Sequence, residues 1–143
     1  MKTLKASILV VNYNNSKYIN ENINSLKNQT FKNKEIIYFD DLSSDNSISI
    51  IKKNKNIKLI QNKKRGKFGS YNQMKGFSEA FKRSTGDIVF LLDSDDYFDN
   101  KKVSKIMKKF QQNKKLVAIY DLPIYVKKNK FINIKNKKKI FKT

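Results

Sequence analysis

The chain has 143 residues, of which 32 are lysine or arginine and 12 are aspartate or glutamate, so its formal charge is +20. This length allows one domain with its own core, and no apolar run approaches the roughly 18 to 20 residues that a membrane-spanning helix needs. Because cysteine and histidine are absent, disulfides, thiolate chemistry, zinc sites of the usual ligand types and a histidine base are excluded.

Strand patterns and helix patterns alternate along the first 110 residues. The strand-like runs are short, continuous and rich in β-branched residues, which is typical of strands buried on both faces of a sheet. Between them, apolar residues recur at helical spacing. In chain order the predicted elements are a strand at 6–11, a helix at about 17–28, a strand at 35–39, a helix carrying Ile48, Ile50 and Ile51 inward, a strand at 57–60, a helix marked by Tyr71, Met74, Phe77, Ala80 and Phe81, a strand at 87–92 and a helix marked by Val103, Ile106, Met107 and Phe110.

The order of these elements predicts the fold class. Crossovers between parallel strands need a long connection, usually a helix, so the alternation indicates an α/β fold. We expect a Rossmann-like, mostly parallel sheet flanked by helices on both sides. Ser44 or Asp45 is expected to cap the second helix, and Gly86 is expected to stop the third.

Beyond residue 115 the alternation gives way to short strand-like runs. The last nine residues are too basic to pack and are expected to be frayed. We therefore predict one domain over 1–125, followed by a basic C-terminal segment over 126–143 that is either a hairpin or frayed. The strand-like runs lie at 116–120, 124–126 and 131–134.

The positive charge is spread unevenly, and the negative charge is clustered. Residues 1–100 carry 17 basic and 11 acidic residues, a net of +6, whereas residues 101–143 carry 15 lysines and one acid, a net of +14. Thirty of the basic residues are lysine, as an AT-rich genome would favour, and the arginine forks of many nucleic-acid binders are missing. We therefore expect no specific nucleic-acid partner. Eight of the twelve acids form two clusters: Asp40, Asp41 and Asp45, then Asp87, Asp93, Asp95, Asp96 and Asp99.

Polar side chains follow three of the predicted strands: Asn12–Asn15, Asp40–Asp41 and Asp93–Asp96. Ligands of parallel sheets bind at the carboxyl ends of the strands, so these groups are expected to meet at one edge. The run Asp93–Asp96 has carboxylates two residues apart, which can present hard oxygens to Mg²⁺ or Mn²⁺ when a diphosphate supplies the remaining ligands. The alternative is that Asp96 or Asp99 caps the helix beginning near Lys101, and for Asp99 we favour that interpretation.

Five short motifs occur in a characteristic order: NYN at 12–14, NQTF at 28–31, DDLSSD at 40–45, TGD at 85–87 and DSDD at 93–96. Each motif alone is weak. Together, over about residues 6 to 110, they resemble the N-terminal, donor-binding half of a family-2 glycosyltransferase with the GT-A fold. The resemblance implies that the predicted domain binds a nucleotide sugar.

The resemblance also implies roles for the residues that would bind the nucleoside. Val11, Asn12 and Tyr13 would line the nucleotide pocket beside the base. Asp41, with Asp40 adjacent, would accept a hydrogen bond from the imide N–H of a uracil or similar base.

The remaining implied residues concern the diphosphate and the sugar. Asp93 would face the ribose or the donor sugar, with Ser94 beside it, and Asp95 would bind the Mg²⁺ or Mn²⁺ that bridges the diphosphate. Asp93 is the second carboxylate of this implied metal site, and the metal would stabilise the departing nucleoside diphosphate. Lys67 could add positive charge near the phosphates.

The chain departs from the family pattern at three positions. Gln73 and Met74 stand where the family often has arginine and asparagine, so a donor contact is lost or is made by an amide. Leu42 stands where glycine is common, which would strain the turn if it requires a positive φ.

The largest departure concerns the general base that takes the proton from the acceptor hydroxyl. The only acid after Asp99 is Asp121, for which we favour a role as a turn residue. The base and the acceptor site are therefore expected to be missing, as in a truncated product, a remnant, or a split protein that a partner chain completes.

We expect transfer of a sugar from a nucleotide-diphosphate donor, a UDP-sugar by preference, to a saccharide or lipid-linked acceptor of a cell-surface polysaccharide. The expected location is the cytoplasm, and the basic segment either rests on the inner face of the cell membrane or is a solvated tail. The alternative is a non-catalytic basic protein that binds nucleic acid or an anionic membrane surface.

Overall fold

The computed structural model describes residues 3–127 and 130–132. Strands and helices alternate up to residue 112, and a short antiparallel strand pair follows. The elements are β1 (Ala6–Asn12), α1 (Ile19–Lys27), β2 (Lys34–Asp40), α2 (Ser47–Lys52), β3 (Ile57–Gln61), α3 (Gly69–Phe81), β4 (Ile88–Asp93), α4 (Lys102–Gln112), β5 (Tyr125–Lys127) and β6 (Lys130–Ile132).

The first four strands form one sheet in the order β3-β2-β1-β4, and every neighbouring pair is parallel. Side chains alternate between the two faces of each strand, so the sheet carries a core on each side. Helices α1, α2 and α4 cover one face, where Ile8, Val10 and Tyr38 are buried, and α3 covers the other, over Leu9 and Phe39. The predicted α/β class, with a parallel sheet between helices, is confirmed.

Helix α3 packs on the sheet mainly through small side chains. Its residues Asn72, Gly76 and Ala80 are buried, whereas Tyr71 and Met74 are exposed. A Cβ on Gly76 would lie 2.8 Å from the Phe39 ring and 2.9 Å from Val11, so the helix lies close to the sheet because this residue has no side chain. The predicted helix is present; of the five apolar residues that mark it, Ala80 is buried and Phe77 packs beside it, whereas Tyr71, Met74 and Phe81 are exposed.

At the element ends, the predicted stop of α3 at Gly86 is wrong, and the predicted cap of α2 by Asp45 is met in part. Helix α3 ends at Phe81, and Gly86 lies in the turn before β4, where an added Cβ would meet Ser7 Oγ at 2.5 Å. Helix α2 is preceded by Asn46, whose side chain makes no capping bond, but Asp45 Oδ1 accepts a hydrogen bond from the Ser47 N–H at 2.9 Å.

The C-terminal predictions are met only in part. Residues 116–120 form no strand, because they run as exposed or half-buried chain beside α4 without a strand partner among the described residues. β5 and β6 overlap the two later predicted runs. The segment 135–143, predicted to be frayed, lies outside the described residues, and the division of the chain at 125/126 remains a prediction. In the described parts of the chain, no helix is long and apolar enough to cross a membrane.

Glu35 ties together all four parallel strands at their amino ends. It lies in β2 and accepts hydrogen bonds from Ser7 Oγ of β1 at 2.7 Å and from Lys58 Nζ of β3 at 2.7 Å. It also accepts from the N–H and the hydroxyl of Thr85, three residues before β4. This cluster fixes the strands relative to one another at the end opposite to the candidate site.

Candidate functional site

An open cavity of about 310 Å³ lies at the carboxyl edge of the sheet. Strands β1, β2 and β4 end there, and the first turn of α3 forms one wall. This edge is where the loops of a parallel sheet converge on a ligand. The lining residues are Val11, Tyr13, Asn15, Asp41, Arg65, Gly69, Asn72, Gln73, Asp93 and Asp95.

One side of the cavity is built from Asp41, Arg65 and Tyr13. Arg65 Nε donates to Asp41 Oδ2 at 2.8 Å, and the guanidinium lies 3.5 Å from the centre of the Tyr13 ring. Asn62 Nδ2 donates to the other oxygen, Asp41 Oδ1, at 2.6 Å. The Asp41 side chain is only 3% exposed, and Arg65 compensates its buried charge. The guanidinium covers one face of the Tyr13 ring, and a planar cation stacked on a ring in this way can also receive a flat ligand.

The loop that carries Arg65 is held against α3. Asn72 Oδ1 accepts from the Gly66 N–H at 3.0 Å, and Asn72 Nδ2 donates to the Gly66 carbonyl at the same distance. This reciprocal pair explains why an asparagine occupies the buried face of α3. It places the arginine over the cavity.

The opposite side of the cavity carries Asp93 and Asp95. Gln73 Nε2 donates to Asp93 Oδ1 at 2.7 Å, which fixes that carboxylate and leaves its second oxygen to the cavity. Burial raises the pKa of the neighbouring Asp96, and the charges of Asp95 and Asp93 raise it further. This loop is therefore a site of concentrated negative potential, which a cation would relieve.

The donor set suits a divalent metal that is shared with a ligand. Mg²⁺ and Mn²⁺ prefer carboxylate oxygens, and Mg²⁺ commonly binds through one or two carboxylates plus substrate phosphates. Asp93 and Asp95 provide those two carboxylates at the cavity wall. Within the described residues no group of three or more acidic side chains is arranged to hold a metal by itself, so such an ion would depend on ligand oxygens.

A buried polar network supports the acidic loop from below. Tyr38 Oη donates to Asn22 Oδ1, and Asn22 Nδ2 donates to the carbonyls of Asp93 at 3.0 Å and Asp96 at 2.7 Å. Burial raises the pKa of Tyr38 above its usual range, so it stays a donor. Because α1 supplies Asn22, the geometry of the loop is set by the core and does not depend on a ligand.

The segment NQTF at 28–31 supports the start of α4 through hydrogen bonds of Gln29. Gln29 is fully buried, donates to the carbonyl of Asp99 at 2.7 Å and accepts from the Val103 N–H at 3.0 Å. Asp99 Oδ1 accepts from the Lys101 N–H at 3.1 Å, one residue before α4, but the N-cap residue of the helix is Lys101, which makes no side-chain capping bond, so the predicted capping role of Asp99 is not met.

The structure brings five of the predicted site residues to the cavity and places four elsewhere. Val11, Tyr13, Asp41, Asp93 and Asp95 line it. Asn12, Asp40 and Ser94 are completely buried and lie behind it, and Lys67 is exposed outside the lining.

The buried residues act as supports. Asn12 Nδ2 donates to Asp40 Oδ2 at 2.7 Å, and Asp40 Oδ1 accepts from the Ser43 N–H at 2.9 Å, which shapes the turn after β2. Asn15 Nδ2 donates to Ser94 Oγ at 2.8 Å and joins the loops after β1 and β4. In the turn after β2, Leu42 adopts a φ of 65°. The turn therefore does require the positive φ for which glycine is better suited than leucine.

Sequence reasoning missed Arg65 and chose Lys67. A signal was present, because Arg65 and Arg83 are the only arginines among 32 basic residues. In a chain where lysine fills solvated positions, an arginine marks a position that needs a planar, bidentate cation. Asn15 and Asn72 carried no such signal among eighteen asparagines.

Comparison of the fold identifies its class. A crystal structure of Staphylococcus aureus TarS in complex with UDP-GlcNAc superposes with a TM-score of 0.66 at 30% identity, over 76% of this chain and 32% of that one. The mannosyltransferase PcManGT of Pyrobaculum calidifontis, in complex with GDP-Man and Mn²⁺, gives 0.67 at 18% identity over 76% and 33%. The latter shows the fold alone, and the two together define a GT-A fold.

The sequence comparison is more specific. The family model described as Glycosyl transferase family 2 matches residues 7–142, so the chain belongs to glycosyltransferase family 2.

Two named relatives share more than a third of their aligned residues with the chain. The S. aureus poly(ribitol-phosphate) β-N-acetylglucosaminyltransferase TarS is 36% identical over 67% of this chain and 17% of its own length. The GalNAc(5)-diNAcBac-PP-undecaprenol β-1,3-glucosyltransferase of Campylobacter jejuni is 36% identical over 73% of this chain and 34% of its own. The chain therefore spans about a third or less of these relatives.

Proposed function

We propose that the cavity binds the nucleoside diphosphate part of a sugar donor, and that the protein takes part in glycosyl transfer. The observation that carries this is the convergence of an aromatic ring, an arginine-paired carboxylate and two further carboxylates on one cavity. The relative with a solved complex binds UDP-GlcNAc, which supports a uridine nucleotide. The acceptor proposed for this chain is a saccharide or a lipid-linked saccharide, as the name of the Campylobacter relative suggests.

In this proposal the base stacks on Tyr13 and Arg65, and Asp41 accepts from its imide N–H. Both Asp41 oxygens already accept one hydrogen bond, but a carboxylate has lone pairs for another. The first turn of α3, beginning at Gly69, faces the same cavity. Helix N-termini favour phosphate through their free N–H groups and dipole, so the diphosphate is placed between this turn and Asp95.

The divalent ion, when bound, would neutralise charge on the departing diphosphate. Asp95 and the free oxygen of Asp93 would hold it, while Gln73 orients Asp93. Asp121 forms an ion pair with Lys102 and does not line the cavity. We therefore do not propose Asp121 as the general base.

Calorimetric titration of the full chain with UDP, with and without Mn²⁺, tests the proposal. Binding should require Mn²⁺, and Asp95→Asn should weaken it by at least about tenfold because one of two metal ligands is lost. Asp99→Asn is the matched control, since this exposed carboxylate follows four residues later and accepts from the Lys101 N–H before α4 instead of lining the cavity. Absence of UDP binding both with and without Mn²⁺ would contradict the donor site. So would equal losses of affinity in the two variants.

A further inference from the structure

The outer face of helix α4 is strongly basic. At 100° per residue, Lys101, Lys105 and Lys108 lie opposite Val103 and Met107, which are buried against the sheet. All three lysines are exposed. Residues 101–124 contain seven lysines and a single acid, so this part of the chain carries a net positive charge. Of the three lysines, Lys105 lies 4.0 Å from the carboxylate of Asp99.

The chain after α4 turns back and runs along the helix. Leu116 and Ile119 are half-buried in a shallow hollow beside Lys109 at the last turn of α4. Further on, Asp121 forms an ion pair with Lys102 in the first turn. The ion pair neutralises the single acid of the region and holds the returning segment against the basic helix.

The returning segment exposes apolar side chains next to this basic face. Val117 is 93% exposed, Tyr120 97% and Leu122 91%, and Ile124 is also exposed. Their half-buried neighbours Leu116 and Ile119 face the helix, so the segment presents one apolar side outward. Exposure of several large apolar side chains within one short segment of a charged protein marks an interaction surface.

We propose that this α4 surface, formed by Lys101, Lys105, Lys108, Val117, Tyr120 and Leu122, docks onto an anionic lipid bilayer. The lysines lie against the negative headgroups, and the apolar side chains enter the headgroup–acyl boundary. Surface helices that combine lysines with adjacent apolar and aromatic residues bind bilayers in this way, with electrostatic and apolar contributions together. The inference goes beyond the donor site and does not depend on it.

The composition of the surface favours lipid over nucleic acid. Valine and leucine can enter a bilayer but offer no face on which a base can stack. The surface has no arginine, whereas phosphate and base recognition usually relies on the arginine fork. Tyrosine is well suited to the membrane interface, where one end of the ring is apolar and the other is wet.

Co-sedimentation with vesicles tests the proposal on the full chain. Phosphatidylcholine vesicles containing roughly a third phosphatidylglycerol should bind the protein, and pure phosphatidylcholine vesicles should not. Replacing Lys101, Lys105 and Lys108 by glutamine should lower the partition coefficient on the order of 100-fold, since each lysine near an anionic surface contributes several-fold. The control replaces three other exposed lysines by glutamine: Lys52, Lys53 and Lys55.

The control variant loses the same charge from a different surface, so its partition coefficient should change by less than about threefold. The double variant Val117→Ser/Leu122→Ser should lose the part of vesicle binding that persists at high salt, because that part comes from insertion of apolar side chains. Circular dichroism and UDP titration of each variant show that the fold and the donor site are unchanged.

Three outcomes would overturn the proposal. They are equal losses in the two lysine variants, equal binding to neutral and anionic vesicles, and displacement from anionic vesicles by duplex DNA at about 0.15 M salt. If Asp95→Asn loses UDP binding but still binds anionic vesicles, the result supports the donor site and leaves the docking proposal unaffected.

Discussion

Gln73 orients a carboxylate on the acidic side of the cavity. Its amide donates to Asp93 Oδ1 at 2.7 Å without adding a positive charge. An arginine at this position would compensate the carboxylate. A neutral donor instead orients Asp93 and leaves its full charge to attract a cation.

We predict that Gln73→Leu weakens Mn²⁺-dependent UDP binding by about tenfold or less, the range that a single hydrogen bond accounts for. The melting temperature should stay nearly constant, because Gln73 is only half-buried at the cavity wall. Met74→Leu, an exposed neighbour on the same helix, serves as control and should bind as the wild type does. Unchanged binding in Gln73→Leu would show that Asp93 needs no orientation.

Leu42 holds a left-handed backbone conformation, with φ at 65°. This region costs a residue with a Cβ roughly 1 kcal/mol, and glycine avoids that cost. We predict that Leu42→Gly raises the free energy of unfolding by about 1 kcal/mol, measured from urea denaturation. Leu42→Ala keeps the Cβ and should bring no gain; a gain equal to that of glycine would mean that the exposed leucine side chain, not the backbone, is unfavourable.

At the level of residues, the sequence revealed the acidic half of the site better than the basic half. Asp41, Asp93 and Asp95 stood out because acids are rare in this chain and cluster at strand ends. The positive side was assigned to Lys67, whereas the structure places Arg65 against Asp41. Which cation reaches a carboxylate depends on the path of a loop, and that path is fixed by Asn72.

Among the elements, α3 shows best what hydropathy alone cannot predict. Its apolar residues recur at helical spacing, yet the buried face runs through Asn72, Gly76 and Ala80. Small residues four apart allow close approach to the sheet, and a hydropathy pattern gives them little weight. The strands were predicted well, by contrast, because continuous β-branched runs report burial on both faces directly.

We predict that Gly76→Ala destabilises the protein by about 1–3 kcal/mol, although alanine favours helix formation. The added Cβ would meet Phe39 and Val11 at 2.8 and 2.9 Å, which forces α3 away from the sheet. Gly69→Ala is the matched control on the same helix, since nothing lies within 4 Å of its Cβ position. Chemical denaturation of both variants decides; similar stabilities would mean that α3 moves at little cost.

For the whole molecule, the Glu35 cluster links stability to pH. Burial opposes the charged carboxylate, but the hydrogen bonds from Lys58, Ser7 and Thr85 outweigh it and hold the pKa of Glu35 well below its usual value. An acid whose pKa is lower in the folded state stabilises the fold above its unfolded pKa and loses that contribution as the pH falls. Asp45 behaves alike, since hydrogen bonds from Ser47 and Ser16 overcome burial and lower its pKa to about 2.

We therefore predict that the melting temperature falls as the pH drops from about 4.5 toward 2. Glu35→Gln should be less stable than the wild type at neutral pH, and the difference should shrink over this range. Glu79→Gln, at an exposed i,i+3 pair with Lys82, should change little at any pH. If the melting temperature of Glu35→Gln falls with pH as that of the wild type does, other carboxylates cause the loss of stability in acid.

The position of β4 has a consequence for the order in which the molecule is assembled. Strand β1 meets β2 only 28 residues along the chain, at Ala6 and Lys34, but it meets β4 at Ile88, 82 residues away. Closing so long a loop is slow, so the β1–β4 pairing is expected late in folding. The strand that arrives last carries Asp93, and Asp95 follows it. Under the proposed function, a nucleotide would therefore have no complete site on a partly folded chain, and its binding energy would stabilise only the finished sheet.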